Sequence, residues 1–333
     1  LKNTPRKKSS IMRNVICRLA AAVAVLCTVL SCGNSGKPSD SYLHEDDVRF
    51  ASDISFEPIV QELSELFNAR HPEATMLPTY CDEDSAIRLL VRDSVRLVIT
   101  TRKLTEGEKA LIRQQKHNYK QSLFAYDAFA LIVNKANPDT VINMSEIKDI
   151  ISGKITDWGQ LEVTHKQGPL YLVFDHSGSS TVRFMKDSLN GGKPLSGNVF
   201  AQGDNRAVIE TVKAREDVIG VVSTDWLRVS KGDTCVLENF RDLDVKVMLV
   251  GFYGLKDPLG LDAKDWQRPY QYYIATGEYP LFRGVYAICT DSRPKSMTSM
   301  FYFFAKGDGQ RVICNSSQLL PHTQVQVRNV VAR

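Results

Sequence analysis

Three stretches of this 333-residue chain place hydroxyl groups where a strand ends and a helix begins. In the longest, Leu172-Val173-Phe174 reads as a strand, Asp175-His176-Ser177-Gly178 as a turn, and Ser179-Ser180-Thr181-Val182-Arg183 as the opening of a helix. The first N–H groups of a helix lack intrahelical partners and the helix dipole leaves partial positive charge there. Such a turn suits a phosphate, sulfate or carboxylate. The same residues serve equally as a plain N-cap, one hydroxyl satisfying an orphan N–H with nothing bound. Ser55-Phe56 and Thr100-Thr101-Arg102 occupy two further turns of this kind, and Arg102 adds a cation. The candidate ligand-binding residues are therefore Ser55, Phe56, Thr101, Arg102, Ser179, Ser180 and Thr181.

Other chemistries lack their residues. There is no HExxH, no GK[ST] phosphate loop, and Gly178-Ser179-Ser180-Thr181-Val182 lacks the glycine spacing of a nucleophile elbow. His176 stands beside an aspartate without a triad, so no enzyme activity is expected. No cysteine pair is spaced as CxxC and no histidine lies at ligand spacing, which argues against a metal; no cofactor is expected. Of seven cysteines, Cys17, Cys27 and Cys32 precede the folded part. Cys81, Cys235, Cys289 and Cys314 remain, as one or two disulfides or as free thiols.

The elements that must carry the three turns follow from periodicity. Val48–Asp53 reads as a strand, with Ser55 as cap of a helix whose apolar residues Phe56, Ile59, Val60, Leu63, Leu66 and Phe67 recur at helical spacing. Pro58 fits its first turn. A strand over Ala74–Tyr80, a helix carrying Ala86, Ile87, Leu89 and Leu90, and a strand over Val95–Thr100 complete a βαβαβ pattern, which implies a mostly parallel sheet flanked by helices. Thr105-Glu106-Gly107-Glu108 is a capping box for the next helix. In open α/β sheets ligands bind beyond the carboxyl ends of strands, where all three turns lie.

The chain is 43% hydrophobic and 24% charged, an ordinary globular balance. Its net charge of +4 arises from Lys2, Arg6, Lys7, Lys8, Arg13 and Arg18, with no acid before residue 32, so the body is mildly acidic. Nucleic acid is not an expected partner. The basic start runs into the apolar segment Leu19–Leu30 and then Ser31-Cys32-Gly33, which reads as an export signal over residues 1–31. It resembles the lipobox of bacterial lipoproteins, implying lipidation at Cys32, a flexible tether over 32–47 and anchorage in the cell envelope facing the periplasm.

From the middle of the chain onward, ordered motifs accumulate. Leu131-Ile132-Val133-Asn134 and Asn137-Pro138 are followed by Ile147-Lys148-Asp149-Ile150-Ile151-Ser152-Gly153-Lys154-Ile155-Thr156-Asp157-Trp158. Asp175–Thr181 comes next, then Val218-Ile219-Gly220-Val221-Val222, Tyr279-Pro280-Leu281-Phe282-Arg283, and Gly309-Gln310 with Leu319-Leu320-Pro321. Together they resemble the phosphate-binding proteins of ABC transporters, with their "GKIxxW", serine-rich loop, "aIGYV", "YPLxR" and "GQ … LLP" elements. The resemblance implies a type II periplasmic binding protein: two α/β lobes, each a mixed, mostly parallel sheet flanked by helices, joined by a two-strand hinge. The crossings are expected near Phe124–Asn134 and Asp244–Gly251. One lobe then comprises 48–126 with 245–333, and the other 127–244.

The implied function is capture of phosphate or a related oxyanion between the lobes, as a monomer, for an ABC-transporter permease. The competing class is a binding-fold protein acting as envelope receptor, adhesin or adaptor. Two positions depart from the family: its aspartate falls at Thr101 and its arginine at Phe174. Trp266, Tyr270, Tyr272, Tyr273, Tyr279 and Tyr286 offer aromatic faces that more simply belong to core or an interlobe surface, and residues 261–275 have no assigned role.

Overall fold

The computed structural model describes residues 47–231, 234–236, 240, 243–252 and 266–323, all within one compact unit, Glu45–Arg333. The export signal, the tether, Cys32, the side chain of Cys235 and residues 261–265 lie outside the described residues. Among those described, no helix is long and apolar enough to cross a membrane.

The chain opens with β1 (Asp47–Asp53), α1 (Glu57–Arg70), β2 (Thr75–Cys81), α2 (Glu83–Val91) and β3 (Leu97–Thr100), with β1 parallel to both β2 and β3. This is the expected βαβαβ unit. Helix α3 (Glu106–Gln114) starts at the capping box, both of its reciprocal bonds formed. Strand β4 (Lys120–Asn134) then runs for 15 residues, long enough to serve two cores. Its Phe124 and Ala125 belong to one apolar cluster with Phe50, Phe67 and Phe301, and its Ala128, Phe129 and Leu131 to a second with Ile150, Trp158 and Leu172. The changeover falls at Tyr126-Asp127.

The second half of β4 carries β5 (Val141–Asn143), α4 (Met144–Ser152), β6 (Tyr171–Phe174), α5 (Ser180–Phe184), β7 (Val199–Ala201), α6 (Asn205–Ala214) and β8 (Val218–Ser223). α5 continues into a wider π-type turn over Met185–Leu189. β6 is parallel to β7 and β8, and β8 is antiparallel to β4. Gly153 of the GKIxxW-like stretch closes α4 at φ +80, a left-handed position that suits glycine. Gly220 of the Val218–Val222 stretch lets α6 approach β8, since a Cβ there would lie 2.6 Å from Val212.

The return crossing was expected near Asp244–Gly251, but that segment pairs with strands of the second core. Val245–Val247 pairs antiparallel with Ile132–Asn134 and Leu249–Gly251 pairs parallel with Val141–Asn143, so both segments stay with the second core. Trp266 packs on Gly251, Gln267 bridges Val250, and Ile274, Tyr279 and Leu281 join the second cluster. Tyr270, Tyr273 and Tyr279 are packing here, as their apolar bodies favour, whereas Tyr272 is exposed. The chain returns in β9 (Phe282–Cys289), antiparallel to β4 on one side and β3 on the other. Leu281 belongs to the second cluster and Val285 to the first. Periodicity could not separate these candidates, because a short apolar run reads alike at a crossing or an edge. Two helices, Met297–Lys306 and Gly309–Ser316, then close the first core. Cys81, Cys289 and Cys314 are free thiols.

Candidate functional site

The two crossing strands place Arg283 directly opposite Asp127. Arg283 Nε donates to Asp127 Oδ2 at 3.0 Å and both residues are buried. Nη2 lies equally close to Oδ2 without an aligned hydrogen bond. The Tyr279-Pro280-Leu281 turn sets this register. Tyr279 Oη donates to Phe129 O at 2.6 Å, and Leu281 O accepts from Phe129 N at 2.9 Å, so the turn holds both backbone polar groups of Phe129 in β4. The guanidinium lies over the rings of Phe56, from the first core, and Phe129, from the second, at 5.4 and 4.4 Å.

Arg283 Nη1 donates to Ser180 Oγ at 2.8 Å, and Ser180 Oγ lies 3.5 Å from Ser55 Oγ. Thus the two hydroxyl turns singled out in the sequence face each other across the lobes. Trp226 Nε1 adds a second link, donating to Ser55 O at 2.8 Å. Ser55 was expected as a cap, but Asp53 has that role: its Oδ1 accepts Ser55 N at 2.9 Å, and the Ser55 hydroxyl is left for the cleft. The longest stretch divides between two kinds of environment. Ser179 is a plain N-cap, accepting Val182 N at 3.1 Å, whereas Ser180 and Thr181 are buried and the Thr181 hydroxyl has no partner.

Thr101 is buried at the end of β3, beside the carboxylate of Glu83 from the start of α2. Glu83 Oε1 accepts Thr101 N and Oγ1, both at 2.6 Å. Its Oε2 accepts Arg183 Nε at 2.8 Å, and Arg183 Nη2 reaches Thr101 Oγ1 at 2.9 Å. Arg102 is turned elsewhere, forked onto Glu108 at 2.9 and 3.0 Å and bonded to Asp84 at 3.0 Å. Those bonds, Glu108 first, hold its guanidinium above its ordinary pKa. Arg183, not Arg102, is the arginine that reaches Thr101.

Burial raises the carboxyls of the site. Asp127 is pushed up to about 6, against the opposing pull of Arg283 and the Ser223 hydroxyl at 2.7 Å. Asp53 rises through burial, Arg283 opposing and Glu83 assisting, and Asp175 rises through burial as well. Sequence reasoning missed Glu83, Asp127 and Arg283. The last stood in a quoted motif, and its signal was a charged residue inside an apolar strand.

This arrangement offers a fixed guanidinium, converging hydroxyls and unmet acceptors between two lobes: equipment for holding a small polar ligand, with no nucleophile paired to a base. The model of the PBP superfamily domain matches residues 36–306. The chain belongs to this family. Among its relatives are the "Phosphate-binding protein PstS" of Bacillus subtilis, 23% identical with 95% of this chain and 96% of the relative covered, and its namesake in Staphylococcus epidermidis, 22% identical with 70% and 73% covered. A solved structure of a putative phosphate ABC transporter substrate-binding protein with bound phosphate, from Clostridium perfringens, superposes with a TM-score of 0.63. It is 21% identical and covers 83% of this chain and 100% of its own. That likeness supports the two-lobed α/β fold of this family member.

Proposed function

We propose that the chain is a substrate-binding protein that captures phosphate or a related small oxyanion between its lobes for an ABC importer. The observation that carries this reading is the placement of Arg283. The family's arginine position is Phe174, yet a buried guanidinium reaches the Ser180 hydroxyl from the opposite crossing strand. A charge-assisted donor fixed beside two serine hydroxyls suits an oxyanion in a water-poor cleft. Four or five such bonds, at roughly 1.5–3 kcal/mol each less ordering and desolvation costs, are compatible with a micromolar complex.

Ser55, Phe56, Ser180 and Thr181 are the proposed contacts among the residues named from sequence, joined by Arg283; Ser179 is a cap, and Thr101 acts through Glu83 and Arg183. The lobes are drawn as 48–126 with 282–323, and 127–281. Lipidation at Cys32 and envelope anchorage remain part of the proposal, resting on the Ser31-Cys32-Gly33 context. Titration calorimetry of the purified protein with inorganic phosphate, sulfate and a phosphomonoester tests the reading. Saturable binding of at least one is expected, and heats indistinguishable from dilution for all three would overturn it.

A further inference from the structure

A cavity of about 410 Å³ opens on the second lobe between the end of α4 and the segment that follows α5, lined by none of the cleft residues. That volume falls within the range of small-ligand sites. α4 contributes Lys148 and Asp149, and Lys154 follows its glycine cap; the facing wall carries Leu189, Lys193 and Pro194. Three ammonium groups thus surround the cavity against one carboxylate, on a body that is mildly acidic. Asp149 Oδ1 accepts Lys154 Nζ at 2.7 Å. Among the described residues, no hydrogen bond, ion pair or ring contact engages the ammonium of Lys148 or Lys193.

Lysines near a helix C-terminus commonly serve its open carbonyls. Here those carbonyls are already answered. Asp149 O accepts Lys154 N at 2.8 Å, Ile150 O accepts Gly153 N at 3.0 Å and the Ser196 hydroxyl at 3.1 Å, and Ile151 O accepts Ser196 N at 3.0 Å. The facing wall is held in shape by its own bonds. The helix that begins at Ser180 widens into the π-type turn Met185–Leu189, an irregularity frequent at functional sites, and then passes through Gly191 and Gly192 at φ 58 and 78. Asn190 Nδ2 donates to Lys193 O at 3.0 Å and to Pro194 O at 2.8 Å, which fixes the backbone that carries the Lys193 ammonium. Leu189 and Pro194 add apolar surface, and low-dielectric walls bearing one sign of charge concentrate the field in the space between them.

We infer that this cavity is a second anion site, separate from the cleft, for a small soluble ligand bearing two or more phosphoryl groups, an inorganic or organic oligophosphate. Three lysines against one aspartate leave positive charge for more than one anionic group, and the space exceeds what a lone phosphate needs. Lysine ammoniums are point charges on flexible stems, so they match charge spread along a row of oxygens rather than the geometry of one anion. The site holds whether or not the cleft takes an oxyanion, since the two share no residue.

Calorimetric titration with inorganic tripolyphosphate tests it, in Ser180→Asp, whose cleft is closed to anions, and independently in wild type with the cleft filled by orthophosphate. Saturable one-to-one binding is expected in both, weakening at least about fivefold between roughly 0.05 and 0.3 M sodium chloride. In each setting Lys148→Gln/Lys193→Gln should weaken it at least about tenfold and Lys148→Arg/Lys193→Arg should restore it, as expected of a charge-driven contact. In otherwise wild-type protein the glutamine pair should leave orthophosphate affinity within about twofold. Heats of dilution alone, or tripolyphosphate affinity retained in the glutamine pair, overturn the inference while leaving oxyanion capture in the cleft intact. Orthophosphate affinity that falls in step with tripolyphosphate affinity overturns it too, by assigning the lysines to the cleft. Lysine-dependent sedimentation with phosphatidylglycerol vesicles, without binding of tripolyphosphate, overturns it in favour of a membrane-facing surface.

Discussion

Arg183 and Glu83, a hundred positions apart in the chain, meet across the cleft with Nε and Oε2 at 2.8 Å. Glu83 is almost wholly buried and also holds Thr101 through two short bonds, so Arg183 ties a helix of one lobe to the strand end of the other. Separating the lobes would break this contact, so its free energy is expected to bias closure. Arg183→Ala is expected to weaken ligand affinity on the order of tenfold, a modest effect because the arginine is partly solvent-screened. Small-angle scattering at saturating ligand should give the same radius of gyration as wild type. An unchanged affinity would show that the pair follows closure without favouring it.

The Arg283–Asp127 pair calls for a two-stage test. Arg283→Met leaves a buried carboxylate without its cation, and unfolding free energy should drop by roughly 3–5 kcal/mol, with oxyanion binding lost. The double variant Arg283→Met/Asp127→Leu removes both charges and should recover most of that stability, because well-packed apolar replacements of buried pairs are often neutral. Binding should not return. Urea denaturation and calorimetry together read the two effects, and recovered binding in the double variant would remove Arg283 from the site.

Much of this was legible beforehand. Helical spacing of apolar residues and capping chemistry are local, so β1, α1, the capping box at Thr105 and the strand–turn–helix at Phe174–Thr181 stand where the sequence puts them. What was not legible is non-local. A carboxylate, Glu83, reaches Thr101 from 18 positions earlier, and a guanidinium, Arg283, reaches the Ser180 turn from another strand. Spacing carries no information about such contacts through space. Arg102 is the converse case, a charge adjacent to the right turn but drawn off by Glu108 and Asp84.

Asp127 predicts an unusual sign for acid stability. Its ordinary carboxyl value of 3.8 is pushed up to about 6 in the folded protein, so the folded state binds the extra proton between those pH values. Stability from this group therefore falls as pH rises through that window and is regained on acidification from 7 to 4, by up to roughly 3 kcal/mol. Asp127→Asn has no such titration. The difference in unfolding free energy between wild type and Asp127→Asn should shift in favour of wild type as pH is lowered from 7 to 4.5, as chemical denaturation at both values would reveal. A constant difference contradicts the raised value.

Ser180→Asp places a carboxylate against the Arg283 Nη1 group that the serine now accepts from. Ser180 is buried with Asp53 beside it, so the added carboxylate should also lower thermal stability, and circular dichroism is needed to show that the variant is folded before its affinity is read. The new acid occupies the guanidinium and repels an incoming anion, and phosphate affinity should fall at least about a hundredfold. Retained affinity would confine Ser179–Thr181 to capping.

Trp226 supplies a spectroscopic reading of closure. Its indole N–H donates to Ser55 O across the lobes and its ring lies 5.3 Å from the Arg206 guanidinium, whereas Trp158 is fully buried in the second core and Trp266 is packed on Gly251. Opening the cleft exposes the first of these and leaves the other two in place. Ligand addition should therefore change emission chiefly through Trp226. In Trp226→Phe the fluorescence response should vanish, while calorimetric affinity drops only a few-fold, in keeping with loss of one hydrogen bond of about 1 kcal/mol. A full response retained in that variant would place the moving interface elsewhere than between Ser55 and the Thr224–Leu227 turn.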